Sequence, residues 1–169
     1  MKCAMTGQPL RDYSEAIYDD GEWISWAWIN GQLADQELRQ EYPKANLEVV
    51  KIFHDLVTLA EAYKSETGRY LQIWGELGEL YAEIKYGVVR HPPGTRGSDG
   101  RVGNDWIEVK TISPEKHGDT IQVKRAGNFN KLLVVRISED FVFEVKLIDR
   151  KLLARGTGKR AKIAWARHE

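Results

Sequence analysis

The chain is nearly devoid of cysteine: its 169 residues include one, Cys3. That excludes an internal disulfide and a cysteine-rich zinc site. No apolar run approaches ~18 residues, so no segment reads as membrane-spanning. The opening stretch Met1–Pro9 lacks the apolar core of a signal peptide, and the cytoplasm is the expected location. Net charge is absent too, because 25 Lys and Arg balance 25 Asp and Glu. Overall charge therefore does not single out nucleic acid as a partner. No repeat, low-complexity tract or clear linker breaks the chain. Its length suits one domain with its own core, spanning residues 1–169.

What is present is an uneven distribution. Residues 1–48 carry nine acids and four bases, whereas residues 121–169 carry twelve bases and five acids. A basic C-terminal third can form a phosphate-attracting face on a neutral protein. Asp20-Gly21 lies between β-prone runs within Ala16–Ile29 and predicts a hairpin whose second arm is Trp23–Ile29. That arm is tryptophan-rich, which suits packing or stacking on bases. Helical spacing follows from Pro43 to Gly68, with Val49, Ile52, Phe53, Leu56, Ala60 and Tyr63 on one stripe. A second helix is expected over about Tyr70–Tyr86, burying Ile73, Trp74, Leu77, Leu80, Tyr81 and Ile84. The period then changes to two. Ser98–Val102, Asp105–Ile112, Thr120–Lys124, Lys131–Ile137 and Phe141–Ile148 read as strands. Gly156-Thr157-Gly158-Lys159 suggests a closing hairpin. Helices before a strand-rich block make the class α/β or α+β.

The chemistry lies in Gly97–Thr111. Gly103-Asn104 is a two-residue turn sequence of the type II′ kind. A tight turn there pairs Val102 with Asp105, Arg101 with Trp106 and Gly100 with Ile107, and so sets Asp99 opposite Glu108. Cross-strand Cβ atoms lie only ~4.5–5.5 Å apart. Lys110 is two residues beyond Glu108 and shares its face. Two such carboxylates repel unless something offsets them. Hard oxygen ligands suit Mg2+ or Mn2+, which can bind a phosphate oxygen and acidify a water. A lysine beside them would hold that water or steady charge on phosphorus.

The sequence contains its own control. Glu144-Val145-Lys146 repeats the acid-x-lysine pattern, but a hairpin turning at Glu139-Asp140 would set Glu144 opposite Val135, with no second carboxylate. Asp105 lies three residues before Glu108 and points to the other side of the strand.

Gly75–Ala82 followed by Gly97–Thr111 resembles the PD-(D/E)XK, or restriction-endonuclease-like, nuclease superfamily. The resemblance covers roughly residues 70–148. It implies a helix, a three-strand meander, a further helix and a strand, with the first acid on the second strand and the E-x-K tripeptide on the third. Asp99 and Glu108-Val109-Lys110 match those places. The resemblance also implies a glutamate from the first core helix, which Glu79 in Gly78-Glu79 fits, with Glu76 as the rival nearer the apolar stripe. A downstream glutamine found in some members corresponds to Gln122. The proline that names the motif is replaced by Ser98.

The expected architecture is thus a mixed β-sheet flanked by helices. An N-terminal hairpin and helical extension would occupy 1–69, a nuclease-like core 70–148 and a basic segment 149–169. Asp99, Glu108 and Glu79 are the expected ligands of Mg2+ or Mn2+, and Lys110 and Gln122 complete the catalytic set. Lys124, Arg125, Lys159 and Arg160, with Lys131, Arg136 and Lys162, are the candidates for phosphate contacts. His54, His91, His117 and His168 show no ligand spacing. The turn-rich 91–97 segment could fold over a substrate. The function implied is metal-dependent cleavage of nucleic acid, DNA in the first instance, with a homodimer natural if both strands are cut. The rival is an inactive nuclease-fold protein that binds DNA or a protein partner in a defence or mobile-element system.

Overall fold

A computed structural model describes residues 1–153 and 156–167, the side chain of Arg167 excepted. The chain falls into two compact units, Met1–Pro43 and Lys44–Glu169.

In the first unit, β1 (Ala16–Asp19) and β2 (Glu22–Ser25) form the expected hairpin, with Tyr18 opposite Trp23. Trp23 packs between Tyr13 and Tyr18, at ring separations of 5.2 and 5.0 Å. The second arm is shorter than expected. Ser25 is an N-cap whose hydroxyl accepts from the Trp28 amide, so the chain turns from strand into helix α1 (Trp26–Glu41). The alternating tryptophans Trp26 and Trp28 therefore belong to a helix, because a serine cap overrides their β propensity.

The second unit begins with α2 (Leu47–Thr67), capped by Asn46 and ended by Gly68 in the left-handed conformation. Its buried residues are Val50, Phe53 and Ala60, while Ile52 and Tyr63 face outward. The apolar stripe is thus rotated from the expected one. Phe53 packs with Tyr81 and Phe143, which joins α2 to α3 (Trp74–Tyr86) and to the sheet. Helix α3 starts four residues later than expected. Gln72 Nε2 and Trp74 Nε1 both donate to Glu115, at 2.7 and 2.9 Å, which ties the preceding segment to a loop.

Five strands make a mixed sheet in the order β3-β4-β5-β7-β8. They are β3 (Val89–Arg90), β4 (Gly100–Val102), β5 (Asp105–Ile112), β7 (Lys131–Ile137) and β8 (Phe143–Asp149). Strands β3, β4 and β5 are an antiparallel meander, β7 runs parallel to β5, and β8 returns antiparallel. Strand β3 was not foreseen, since two residues are too few to show a period. The crossover from β5 to β7 carries β6 (Thr120–Lys124), which pairs with β9 (Arg160–Ala164) as a separate ribbon. Two expectations change here. The helix that the family resemblance puts in this crossover is absent among the described residues. The C-terminal strand pairs with β6 and does not close a hairpin on the segment just before it. Residues 154 and 155, within that supposed hairpin, lie outside the described residues.

The two faces of the sheet are covered differently. Helix α3 lies on the face of Ile107, Val109 and Thr111, with Gly78 set directly against Thr111. On the other face, Ile121 and Val123 of β6 and Ile163 of β9 pack with Ile112, Leu132, Val134 and Ile148. A β-ribbon thus stands where a flanking helix was expected. The hairpin joining β7 and β8 pairs Arg136 with Glu144, one step from the expected Val135. Phe141 at φ 57° adds a third residue to the turn, and the Ser138 amide donates to Val142 O at 3.0 Å. No helix among the described residues is long and apolar enough to cross a membrane.

Gly78 provides the test of this packing. A Cβ there would fall on Thr111 Oγ1 and stand 3.2 Å from Thr111 Cβ. Gly78→Ala should lower stability by ~1–3 kcal/mol in urea unfolding, although alanine is favoured by ~1 kcal/mol in a helix interior. Adding Thr111→Ala should restore most of the loss. A stabilising Gly78→Ala single variant would contradict the close approach.

Candidate functional site

Register builds the site. The pairs are Val102 with Asp105, Arg101 with Trp106 and Gly100 with Ile107, as counted from the turn. Of the two central turn residues only Gly103 has positive φ, 57°, as type II′ requires. The expected fourth pair, Asp99 with Glu108, does not form: the register ends at Gly100–Ile107, and Asp99 sits one residue before β4. Its amide donates to Ile107 O at 2.9 Å, and its Oδ2 accepts from the Val109 amide at 2.7 Å. The strand edge therefore fixes the Asp99 carboxylate beside β5.

Lys110 completes the group. Its Nζ lies 2.6 Å from Glu108 Oε1, 3.9 Å from Asp99 Oδ2, and donates to Val109 O at 2.9 Å. Glu108 is the most enclosed of the three, with 16% of its side chain exposed against 29% for Asp99 and 32% for Lys110. Their face is the one that the β6–β9 ribbon covers at Ile112, and at Glu108 and Lys110 it opens into a cleft. That cleft is about 800 Å³ and is also lined by Arg96, Gln122, Lys124, Asn128 and Arg160.

Helix α3 brings three glutamates toward Arg90 of β3. The guanidinium reaches Glu76 at 2.7 Å, Glu83 at 2.8 Å and Glu79 at 3.8 Å. Glu76, the rival helix acid, is thus committed to a short ion pair, while Glu79 is held loosely. Burial, then the negative charges of Asp99 and Glu76, push Glu79 above the usual carboxylate range. Glu79 is therefore the α3 acid whose ionisation Asp99 opposes.

The basic candidates divide. Lys124 and Arg160 are cross-strand partners on the ribbon and line the cleft. Arg160 Nη1 donates to Gln122 Oε1 at 3.3 Å, which holds the glutamine at the cleft wall. Arg125 and Lys159 do not line the cleft; they line a neighbouring hollow that Lys124 and Arg160 also border. Lys131 pairs with Asp149 at 3.1 Å, and Arg136 lies near Asp119 and Glu144. Lys162 faces Gln122 across the ribbon. Glu144 has no second acid opposite it, in keeping with its role as the control tripeptide.

Among the described residues, no group of three His, Cys, Asp or Glu side chains converges as a metal site. His91 stacks on Trp106 at 5.3 Å and His54 meets the edge of Phe53; His168 lies outside the described residues. The donor set at Asp99 and Glu108 nevertheless fits a hard cation. Magnesium is ordinarily held by one or two carboxylates together with waters and phosphate oxygens, and the Lys110 ammonium stands among these oxygens as a cation. Sequence reasoning missed Arg90, Arg96 and Asn128. For Arg90, the i, i+3, i+7 spacing of Glu76, Glu79 and Glu83 was the available signal, since it makes one acidic stripe that needs a partner. No family model matches the chain, and no curated protein matches it.

The raised Glu79 has a consequence for stability. Because its folded pKa exceeds the unfolded value, the neutral form is favoured on folding, and that contribution fades as pH rises through the folded pKa. In metal-free buffer, Glu79→Gln should raise the melting temperature slightly at pH 7. The difference should vanish below the ordinary glutamate pKa of ~4.3. An equal effect at both pH values would contradict the assigned direction.

Proposed function

We propose that the chain is a metal-dependent nuclease that hydrolyses phosphodiester bonds, with DNA as the first substrate class, on a restriction-endonuclease-like core. The observation that carries this reading is Lys110 in contact with Glu108 and close to Asp99 in the lining of one cleft. Its Nζ is 2.6 Å from Glu108 and 3.9 Å from Asp99, and Lys124 and Arg160 stand on the same cleft wall. The meander β3-β4-β5 supports it further, because the first acid precedes its second strand and the tripeptide lies on its third.

In this reading Asp99 and Glu108 hold Mg2+ or Mn2+, with Glu79 as an outer carboxylate from α3. The bound ion would supply Lewis acidity toward a phosphate oxygen and a water of lowered pKa. Lys110 steadies the attacking water or the charge that grows on the phosphoryl oxygens. Lys124 and Arg160 grip flanking phosphates, which sets register without reading sequence. Gln122, held by Arg160, orients groups between these two sets. A second copy of the chain would be needed to cut both strands in one encounter.

Plasmid incubated with wild type and Mg2+ or Mn2+ should be nicked or linearised, and EDTA should stop the reaction. Lys110→Ala, Asp99→Asn and Glu108→Gln should each lower the rate by ~100-fold or more, with melting temperatures near wild type. Equal cleavage by Lys110→Ala would remove the enzyme reading. Salt-dependent DNA binding without cleavage would instead favour a binding module.

The phosphate-gripping bases give a separate expectation. Lys124→Ala or Arg160→Ala should weaken DNA binding about equally for unrelated sequences. Each should reduce the slope of log affinity against log salt by ~1, measured by fluorescence anisotropy across a salt series. An unchanged slope would place the phosphates elsewhere.

A further inference from the structure

Resting on that reading of the site, we infer that Lys110 is a resident counter-cation, and that nucleic acid must draw it away before a divalent ion binds tightly. The Nζ atom is bound by Glu108 Oε1 at 2.6 Å and Val109 O at 2.9 Å, with Asp99 Oδ2 at 3.9 Å. Both carboxylates are oxygens that a divalent ion at this position needs. The ammonium therefore does two things in the free protein. It offsets repulsion between Asp99 and Glu108, which lets both line the same cleft. It also opposes an incoming cation, by direct competition for oxygen and by like charge.

The lysine has somewhere to go. It lines the cleft together with Arg96, Lys124 and Arg160, and three cations beside it make a favourable place for a phosphate. A phosphate held there gives the flexible ammonium a new anionic partner and frees the carboxylate oxygens. Metal and nucleic acid then assist each other's binding. Linkage requires the assistance to be mutual and equal in size.

The test is direct Mn2+ binding by calorimetry, with no turnover needed. Lys110→Met should bind Mn2+ about tenfold tighter than wild type. Lys116→Met removes a positive charge from a neighbouring hollow that Lys110 also lines, and should stay within about twofold of wild type. A phosphorothioate duplex that resists cleavage should tighten Mn2+ binding to wild type by about tenfold and leave Lys110→Met nearly unmoved. Weaker or unchanged Mn2+ binding by Lys110→Met overturns the inference. So does an equal response of both proteins to the duplex. Plasmid cleavage by wild type separates the two readings. If wild type cleaves and Lys110→Met binds Mn2+ no tighter, the counter-cation role falls and the nuclease reading stands. If wild type neither cleaves nor binds Mn2+, both fall.

Discussion

Two carboxylates that share one lysine need its positive charge between them, and the site is organised around that need. Two hydrogen bonds leave Asp99 no distance to retreat, because its amide and one carboxylate oxygen are both tied to β5. Glu108 is largely enclosed and has little water to screen it. An ammonium on the same strand face is the nearest available remedy, and Lys110 supplies it. The same logic recurs at α3, where Arg90 pairs closely with Glu76 and Glu83 and more distantly with Glu79, whose ionisation is opposed by burial and then by Asp99. Acids that would destabilise an ordinary surface are retained, and each group of them is met by one base.

How much of this was legible in the sequence depended on the range of the forces involved. The hairpin phase needed only a two-residue turn and alternation along the strands, both local, and the pairs from Val102–Asp105 to Gly100–Ile107 followed, while the next, Asp99–Glu108, did not. The C-terminal ends of α2 and α3 were announced by Gly68 and Gly87, which take the left-handed conformation. Where a side-chain cap outweighed β propensity, as at Ser25, the reading failed. It also failed by a single residue at the β7–β8 turn, because a left-handed Phe141 is not a residue that sequence rules expect there.

Non-local pairing was the larger obstacle. Strand β6 was recognisable by itself, but its partner β9 begins 36 residues after β6 ends (124 to 160). A pattern of alternating residues carries no address for such a partner. The basic candidates could therefore be named but not sorted. Register across the ribbon sets Lys124 beside Arg160 in the cleft lining, while Arg125, one residue past the end of β6, lines only the neighbouring hollow. A shift of one position in a strand moves a side chain to the opposite face, so proximity in sequence is a poor guide to which base meets a phosphate.

The ribbon also explains why the site is a cleft and not a flat strand face. Along β5 the same face carries Glu108, Lys110 and Ile112. At Ile112 it is buried beneath β6 and β9, and at Lys110 and Glu108 it is half-buried and borders the cleft. The apolar contacts that seat the ribbon, Ile121, Val123 and Ile163 against Leu132 and Val134, thereby set the distance from the carboxylates to Lys124 and Arg160. Hydrophobic packing on one part of the face becomes electrostatic positioning on the next. The two acids and Lys110 lie within twelve residues of one another in sequence (99 to 110). The opposing basic wall exists only after a long-range strand pairing has closed. Carboxylate oxygens and basic side chains are brought into one cavity by the completed fold of the second unit, and under the proposed function neither set alone would make a place for a phosphodiester.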